Sequence, residues 1–243
     1  MSDDTMIGQR IQAVRDEIAA ARLRRSRVPK EAPVELIAVT KNHTVEAMRE
    51  AIDNGIMNIG ENRVQEALEK SEELGREVKW HLIGHLQTNK VKYAVQQFDL
   101  IHSVDSVRLV QAIDKAAEKF GKVQNILVQI NLAREASKSG ISVEDLGDLL
   151  QMADHLRAVR LQGFMCIAPN YDDVEQCRPL FRRMYEIFKR AQETEPRTAD
   201  IRYLSMGMTH DYAIAVEEGA NLVRVGTAIF GERNYANGKG ETK

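Results

Sequence analysis

Two polar side chains follow directly after short apolar runs of the chain and are candidates for chemistry. Lys41 follows the run at residues 34–39, and Asn62 follows the run at residues 56–59. If these runs are parallel strands, the amine and the amide lie at the same edge of the sheet. Partial burial there disfavours the ammonium form and leaves an amine that attacks aldehydes. Lys41 is therefore a candidate Schiff-base lysine. The alternatives are a surface lysine that ends a strand and, for Asn62, a helix amino-terminal cap.

Two loops near the carboxyl terminus combine glycines with hydroxyl groups. Ser205, Gly207 and Thr209 follow the apolar run at residues 201–204, and Gly226 and Thr227 follow the run at residues 222–225. In α/β barrels, phosphate is often bound by the loops after the seventh and eighth strands, next to the start of a short helix. The two loops together predict an anion site, although either loop alone is also common at helix starts for structural reasons.

The histidines and cysteines do not form a pattern typical of a metal site. His81 and His85 are four residues apart, but no third ligand has convincing spacing. We expect these two histidines to be hydrogen-bonded pocket or core residues. Cys166 and Cys177 have no metal-type spacing either, and we expect two buried thiols rather than a disulfide or a zinc site.

Runs of β-forming residues alternate with amphipathic helical stretches along the chain. The runs lie at residues 34–39, 56–59, 78–83, 98–102, 123–130, 161–167, 201–204 and 222–225. Gly55 and Gly121 close two of the helical stretches. Because parallel strands need crossover helices, eight such units predict an α/β fold, a closed (β/α)₈ (TIM) barrel. The alternative is an open doubly wound sheet, which is disfavoured because no Gly-x-Gly-x-x-Gly turn follows the first run.

An additional helix is predicted before the first strand. Its apolar residues at helical spacing are Ile7, Ile11, Val14, Ile18 and Ala21. Four arginines between positions 22 and 27 follow, and we expect them to form a solvated basic helix end. No linker or internal repeat interrupts the pattern. The sequence therefore predicts one domain spanning residues 1–243, with the amino-terminal helix in residues 1–30 and the barrel in residues 34–231.

Composition argues against nucleic-acid and membrane partners. The net charge is -2 and the pI is about 6.3, so no strongly basic surface is expected. The apolar runs are a few residues long, whereas a membrane span needs about 20 residues. The amino terminus does not have the pattern of a secretion signal. We therefore expect a cytoplasmic protein.

Eight ordered blocks of the sequence carry a resemblance that spans nearly the whole chain. The blocks are residues 38–41 (AVTK), 60–66 (GENRVQE), 81–90 (HLIGHLQTNK), 101–106 (IHSVDS), 137–140 (SKSG), 165–169 (MCIAP), 204–208 (LSMGM) and 223–231 (VRVGTAIFG). In these blocks the chain resembles the pyridoxal phosphate homeostasis proteins, also described as YggS-like or proline synthetase co-transcribed proteins. That family is related to the amino-terminal domain of alanine racemase.

The resemblance implies a protein that holds pyridoxal 5′-phosphate (PLP), the vitamin B6 cofactor, as a Schiff base on Lys41. It implies buffering or delivery of PLP without catalysis. The implied cofactor contacts are Lys41, Asn62, Ser205, Met206, Arg224, Gly226 and Thr227, with no metal-ligating residue. Among them, Ser205, Gly226 and Thr227 are implied to hold the phosphate. Arg224 is implied to face the pyridine nitrogen, where a permanent cation disfavours protonation and weakens carbanion stabilisation.

The chain departs from the family pattern at several positions. Asn42 and His43 stand where many relatives have a second lysine and a proline, which puts a role of a neighbouring lysine in passing on the cofactor in doubt. Thr209 replaces the usual serine and keeps the hydroxyl. Lys138, in the block after the fifth strand, is either a solvated loop lysine or a secondary PLP contact.

The resemblance leaves two enzymatic alternatives. A racemase needs two acid-base groups, and racemases of the related fold take the second, a tyrosine, from an additional β domain of the partner subunit. Few residues follow the eighth strand, so we expect that group to be missing. A barrel enzyme acting on a sugar phosphate through Lys41 lacks a clear carboxylate partner. We expect PLP and PLP-dependent apo-enzymes as partners, and a monomer.

Overall fold

The strands form a closed parallel barrel. A computed structural model describes residues 4–75, 77–133, 139–194 and 200–232. These ranges contain the strands β1 (Glu35–Val39), β2 (Asn58–Glu61), β3 (Lys79–Leu82), β4 (Leu100–Val104), β5 (Gln124–Gln129), β6 (Val159–Met165), β7 (Tyr203–Ser205) and β8 (Leu222–Val225). Each strand pairs in parallel with the next, and β8 pairs with β1. The predicted barrel is confirmed, and every predicted run ends within two residues of its strand.

Helices connect consecutive strands and surround the barrel. The same ranges contain α1 (Asp4–Leu23), α2 (Val45–Asp53), α3 (Val64–Leu74), α4 (Val91–Gln97), α5 (Val107–Lys119), α6 (Leu146–Asp154), α7 (Arg178–Thr194), α8 (Tyr212–Glu217) and α9 (Thr227–Phe230). The side chains of Thr44 and Ser106 cap α2 and α5. Gly55 and Gly121 follow these two helices with φ of 80° and 61°, as predicted. No helix in the described ranges is long and apolar enough to cross a bilayer.

The barrel interior contains both apolar and polar side chains. One buried residue from each of five strands forms an apolar cluster, which consists of Ile37, Leu100, Leu127, Met165 and Leu222. Ile37 pairs in register with Arg224 of β8, so the arginine and the apolar cluster face the same side of the sheet. Other buried polar residues of the strands include Asn58, His81, His102 and Ser205. Because buried polar groups need partners, these side chains are expected to bond one another.

Helix α1 packs outside the barrel against α2, α8 and α9. The five apolar residues predicted for its inner face are all buried. The prediction of a solvated basic end was wrong for Arg25, which is only 4% exposed. Its guanidinium donates to the carbonyls of Val216 (2.9 Å) and Ala220 (2.7 Å). Carbonyls around the end of α8 thus draw the arginine inward, and the basic end ties α1 to the barrel.

Candidate functional site

A cavity of about 440 Å³ opens at the carboxyl ends of the strands. Its lining comes from the ends of seven strands and consists of Val39, Lys41, His43, Asn62, Ile83, Gly84, His85, Gln129, Ser139, Ile167, Met208, Thr209, His210, Arg224, Gly226 and Thr227. Small-molecule sites usually measure about 300–1,000 Å³. The cavity therefore has the size of a small-molecule site and the position at which barrel active sites form.

Lys41 reaches this cavity from the loop after β1, and the residues on both sides of it are fixed. The carbonyl of Thr40 accepts a hydrogen bond from Lys70 Nζ (2.7 Å). The backbone N–H of Asn42 donates to Glu66 Oε1 (2.5 Å), and Asn42 has φ of 61°, a left-handed conformation that asparagine tolerates. The backbone at Lys41 is therefore anchored, and its half-buried side chain lines the cavity.

The anchor is a buried ion cluster that the sequence analysis missed. Lys70 Nζ lies 2.8 Å from Glu61 Oε1 and 2.7 Å from Glu66 Oε1. Burial raises the pKa of the Glu61 carboxyl, and the charge of Lys70 offsets this only in part. At Glu66, burial also acts to raise the pKa, but hydrogen bonds from Lys70 and Asn42 outweigh it and lower the pKa. The four-residue spacing of Glu66 and Lys70 on α3 was the one available signal.

Asn62 lines the cavity and is not a helix cap. The residue at the cap position of α3 is Arg63, and no side chain caps this helix. Within the described ranges, no hydrogen bond uses the Asn62 amide, which leaves it available to a ligand. The adjacent Gly84 is required by close packing, because an added Cβ would lie 2.3 Å from the Asn62 carbonyl oxygen.

Arg224 lines the cavity and is buried, at 3% exposure. Its Nη1 donates to Ser205 Oγ (2.6 Å), and its Nη2 donates to the carbonyl of Cys166 (3.0 Å). In the described part of the chain, its Nε–H has no acceptor. Burial lowers the pKa of the guanidinium, yet arginine keeps its charge because its unperturbed pKa is so high. The cavity therefore contains a fixed cation whose Nε–H is among the N–H groups left to donate.

The loops after β7 and β8 lie side by side at the cavity. The N–H of Arg224 donates to the carbonyl of Gly207 (3.0 Å), and the N–H of Gly226 donates to Thr209 Oγ1 (3.4 Å). The short helix α9 begins at Thr227, directly after Gly226. The two predicted anion-binding loops therefore meet, and they bring two threonine hydroxyls and a glycine N–H to the lining.

Ser205 and Met206 lie below the cavity rather than in its lining. Both are fully buried, and Ser205 Oγ contacts His102 Nδ1 (3.0 Å) as well as Arg224. Lys41, Asn62, Arg224, Gly226 and Thr227, by contrast, are in the lining, and their contact with a cofactor stays a prediction. Lys138 lies outside the described residues.

Three histidines stand around the cavity, and sequence reasoning assigned a pocket position to only one of them. His85 is exposed and lines the cavity, whereas His81 is buried in the barrel interior, as expected for a pocket and a core residue. His43 also lines the cavity, and its ring stacks on Phe230 with centroids 4.5 Å apart. His210, in the loop after β7, is the third. The signal available for His43 was its position two residues after Lys41.

The chain matches known proteins over most of its length. A family model described as alanine racemase, N-terminal domain, matches residues 13–234. The chain is 41% identical over 201 residues to the pyridoxal phosphate homeostasis protein of Aquifex aeolicus, covering 82% of this chain and 87% of the relative. It is 38% identical over 235 residues to the protein of the same name from Escherichia coli strain K12, covering 95% and 98%.

Solved structures give the same result. PipY of Synechococcus elongatus PCC7942, determined with PLP bound, is 37% identical with a TM-score of 0.81, covering 93% of this chain and 100% of that chain. Alanine racemase of Clostridium difficile is 15% identical with a TM-score of 0.69, covering 92% of this chain and 60% of that one, which shows a shared fold. The chain therefore belongs to the pyridoxal phosphate homeostasis protein family, which shares the barrel of the alanine racemase N-terminal domain.

Proposed function

We propose that this protein binds PLP covalently through Lys41 and keeps the cofactor available by storing, buffering or delivering it. One observation carries the proposal: Lys41, Arg224 and the two hydroxyl-bearing loops line a single cavity. PipY, which is 37% identical over nearly the same length, has been determined with PLP bound. The names of the relatives support a role in homeostasis of the cofactor.

The cavity offers a partner for each part of PLP. The Lys41 amine suits the aldehyde. Thr209, Thr227 and the N–H of Gly226 suit the phosphate, since hydroxyls and backbone amides at a loop-helix junction bind anions. The Nε–H of Arg224 suits an unprotonated pyridine nitrogen, which is an acceptor. When bound, PLP supplies an aldehyde carbon that exchanges between amines and a ring that withdraws electrons.

We infer a carrier rather than an enzyme from what surrounds Arg224. The described lining of the cavity includes no carboxylate to hold a proton on the ring nitrogen and no tyrosine to act as a second acid-base group. A racemase remains the rival, because its fold is the same. Racemisation of alanine by the PLP-loaded protein at about one turnover per second or faster would support that rival.

The proposal extends to the oligomeric state, the localisation and the partners of the protein. We propose a monomeric cytoplasmic protein whose partners are PLP and the apo-enzymes that receive it. The open position of the cavity at the barrel mouth supports exchange of the cofactor. Cys166 and Cys177 are buried thiols outside any disulfide in the described residues.

Replacement of Lys41 tests the proposal. The purified protein loaded with PLP is expected to absorb in the imine band, and borohydride reduction followed by peptide mapping is expected to place the label on Lys41. Lys41→Ala should lose both the band and the label, because the described lining holds no other lysine to take its place. Lys92→Ala, which removes an exposed lysine on α4, is the matched control and should keep them. A Lys41→Ala protein that retains the chromophore would overturn the proposal.

A further inference from the structure

A continuous chain of hydrogen bonds crosses the barrel interior from the cavity toward the opposite end. It joins Arg224 Nη1 to Ser205 Oγ (2.6 Å), Ser205 Oγ to His102 Nδ1 (3.0 Å), His102 Nε2 to His81 Nδ1 (3.0 Å), His81 Nε2 to Asn58 Oδ1 (3.1 Å) and Asn58 Nδ2 to Glu35 Oε2 (3.4 Å). These six side chains come from six strands. Their contacts connect a residue of the cavity lining to a half-buried carboxylate at the start of β1.

The two ends of this chain fix the direction of every bond in it. The Glu35 carboxylate only accepts, so Asn58 turns its NH₂ group toward it and its oxygen toward His81. His81 must then donate from Nε2, which leaves its Nδ1 as the acceptor for His102. At the other end, Arg224 only donates, so Ser205 accepts from it.

The direction assigns a protonation state to both histidines. His102 donates from Nε2 and therefore accepts from the Ser205 hydroxyl at Nδ1, so both rings are neutral with the proton on Nε2. Burial lowers the pKa of His81 to about 3 and that of His102 well below its usual value. The only charged groups among these six hydrogen-bonded side chains are therefore the Arg224 guanidinium at one end and the Glu35 carboxylate at the other.

The hydrogen-bond chain determines how the Arg224 guanidinium is oriented in the cavity. Ser205 Oγ and the Cys166 carbonyl hold its two terminal nitrogens, and two fixed contacts define the plane of the group. The Ser205 hydroxyl has one proton, which it donates in a hydrogen bond to His102 Nδ1. An oxygen lone pair is then left to accept from Arg224. If His102 no longer accepted that proton, the hydroxyl would rotate and the arginine would lose a defined partner.

We propose that Ser205, His102 and His81 are positioning residues that hold Arg224 with its Nε–H directed at the pyridine ring nitrogen of bound PLP. The inference rests on the proposed PLP binding and deepens it. Ser205 thereby acts on the ring end of the cofactor through Arg224, and the threonines of the lining serve the phosphate.

The first test uses the protein without PLP. In the ¹⁵N-histidine NMR spectrum at pH 7, we expect His81 and His102 as neutral rings protonated on Nε2, with assignments from the variants below. A ring protonated on Nδ1, or a charged ring, at either position would contradict the direction assigned to these hydrogen bonds. This test is independent of cofactor binding.

The second test uses PLP labelled with ¹⁵N in its ring. His102→Leu removes the acceptor, and we expect about tenfold weaker binding of PLP and a shifted ring-nitrogen resonance. His102→Asn should restore most of the PLP affinity and most of the wild-type ring-nitrogen shift, because the asparagine Oδ1 takes the place of the histidine Nδ1 opposite Ser205. Gln97→Leu removes a buried polar group of α4 outside the cavity and should change neither.

The outcomes separate the inference from the proposed function. If the wild-type protein does not form the Lys41 adduct, the proposed function fails. The tautomers measured in the first test still show whether the hydrogen-bond chain has the proposed direction. If the wild-type protein binds PLP and His102→Leu keeps both the affinity and the resonance, the inference fails. Ser205→Ala serves if His102→Leu does not fold. It should shift the ring-nitrogen resonance in the same direction, whereas a serine that contacted only the phosphate would leave the resonance unchanged.

Discussion

At the scale of single residues, the direction of the backbone after a strand decides which hydroxyl reaches the cavity. Ser205 is the last residue of β7 and lies inside the barrel. Gly207 then turns the chain with φ of 93°, where an added Cβ would lie 2.6 Å from the Ala215 side chain. Thr209, two residues beyond, lines the cavity. We therefore propose that Thr209, rather than Ser205, contacts the phosphate.

Substitution of Thr209 tests this assignment. Thr209→Val keeps the shape and removes the hydroxyl, so we expect about tenfold weaker PLP binding in a fluorescence titration, the effect of one hydrogen bond to a charged group. Thr209→Ser should bind like the wild type. Pyridoxal, which has no phosphate, should bind equally to all three proteins. Equal PLP affinity of Thr209→Val and wild type would contradict the assignment.

The contrast between Lys41 and His102 explains what the sequence could predict of the site. Lys41 and Asn62 follow apolar runs, and the rule that barrel sites form at the carboxyl ends of strands is enough to group them. Arg224 was expected at the site only from the family resemblance. The bond of His102 to Ser205 joins residues 103 positions apart. Such a contact depends on the register of distant strands, which no local pattern encodes.

At the scale of elements, the strands were predictable because each is a short β-rich run between amphipathic helices. The ends moved by up to two residues, since hydrogen bonding to neighbours rather than local propensity sets where a strand stops. The inward turn of Arg25 and the contact of Lys70 with Glu61 were not predictable. In both cases a charged side chain is buried because its partners lie on another element.

The ion cluster beside Lys41 makes a clear prediction about stability. Lys70→Met leaves the buried Glu61 carboxylate without its cation, and we expect the free energy of unfolding to fall by about 3–5 kcal/mol in urea denaturation. Lys92→Met, at an exposed position on α4, should change it by less than about 0.5 kcal/mol. Adding Glu61→Gln to Lys70→Met should recover part of the loss, because no unpaired charge remains buried. A loss below about 1 kcal/mol for Lys70→Met would contradict this role.

At the scale of the whole molecule, the closed barrel encloses two buried histidines, His81 and His102. Closure removes the edges of the sheet and makes every strand contribute to one interior. That interior combines an apolar cluster with a directed polar chain, so folding keeps two titratable rings from taking up protons. The unfolded chain has no such restriction, and stability must therefore depend on pH.

The sign of this dependence follows from the lowered pKa of His81 and His102. Below pH 6.5 the unfolded state binds protons on both rings while the folded state does not, so stability falls as the pH falls from 6.5 toward the folded pKa of His81, about 3. For two histidines the slope approaches about 3 kcal/mol per pH unit. It should appear in urea midpoints measured between pH 7.5 and 5, above the range in which Glu66, whose pKa is lowered, protonates. Glu61, whose pKa is raised by burial, takes up its proton first in the folded state and offsets part of the loss at the acid end. His81→Gln should reduce the slope by about half, whereas replacement of the exposed His155 by glutamine should leave it unchanged. A stability that stays level from pH 6.5 to 5 would mean that the interior rings accept protons, and the directed chain that orients Arg224 would not exist in solution.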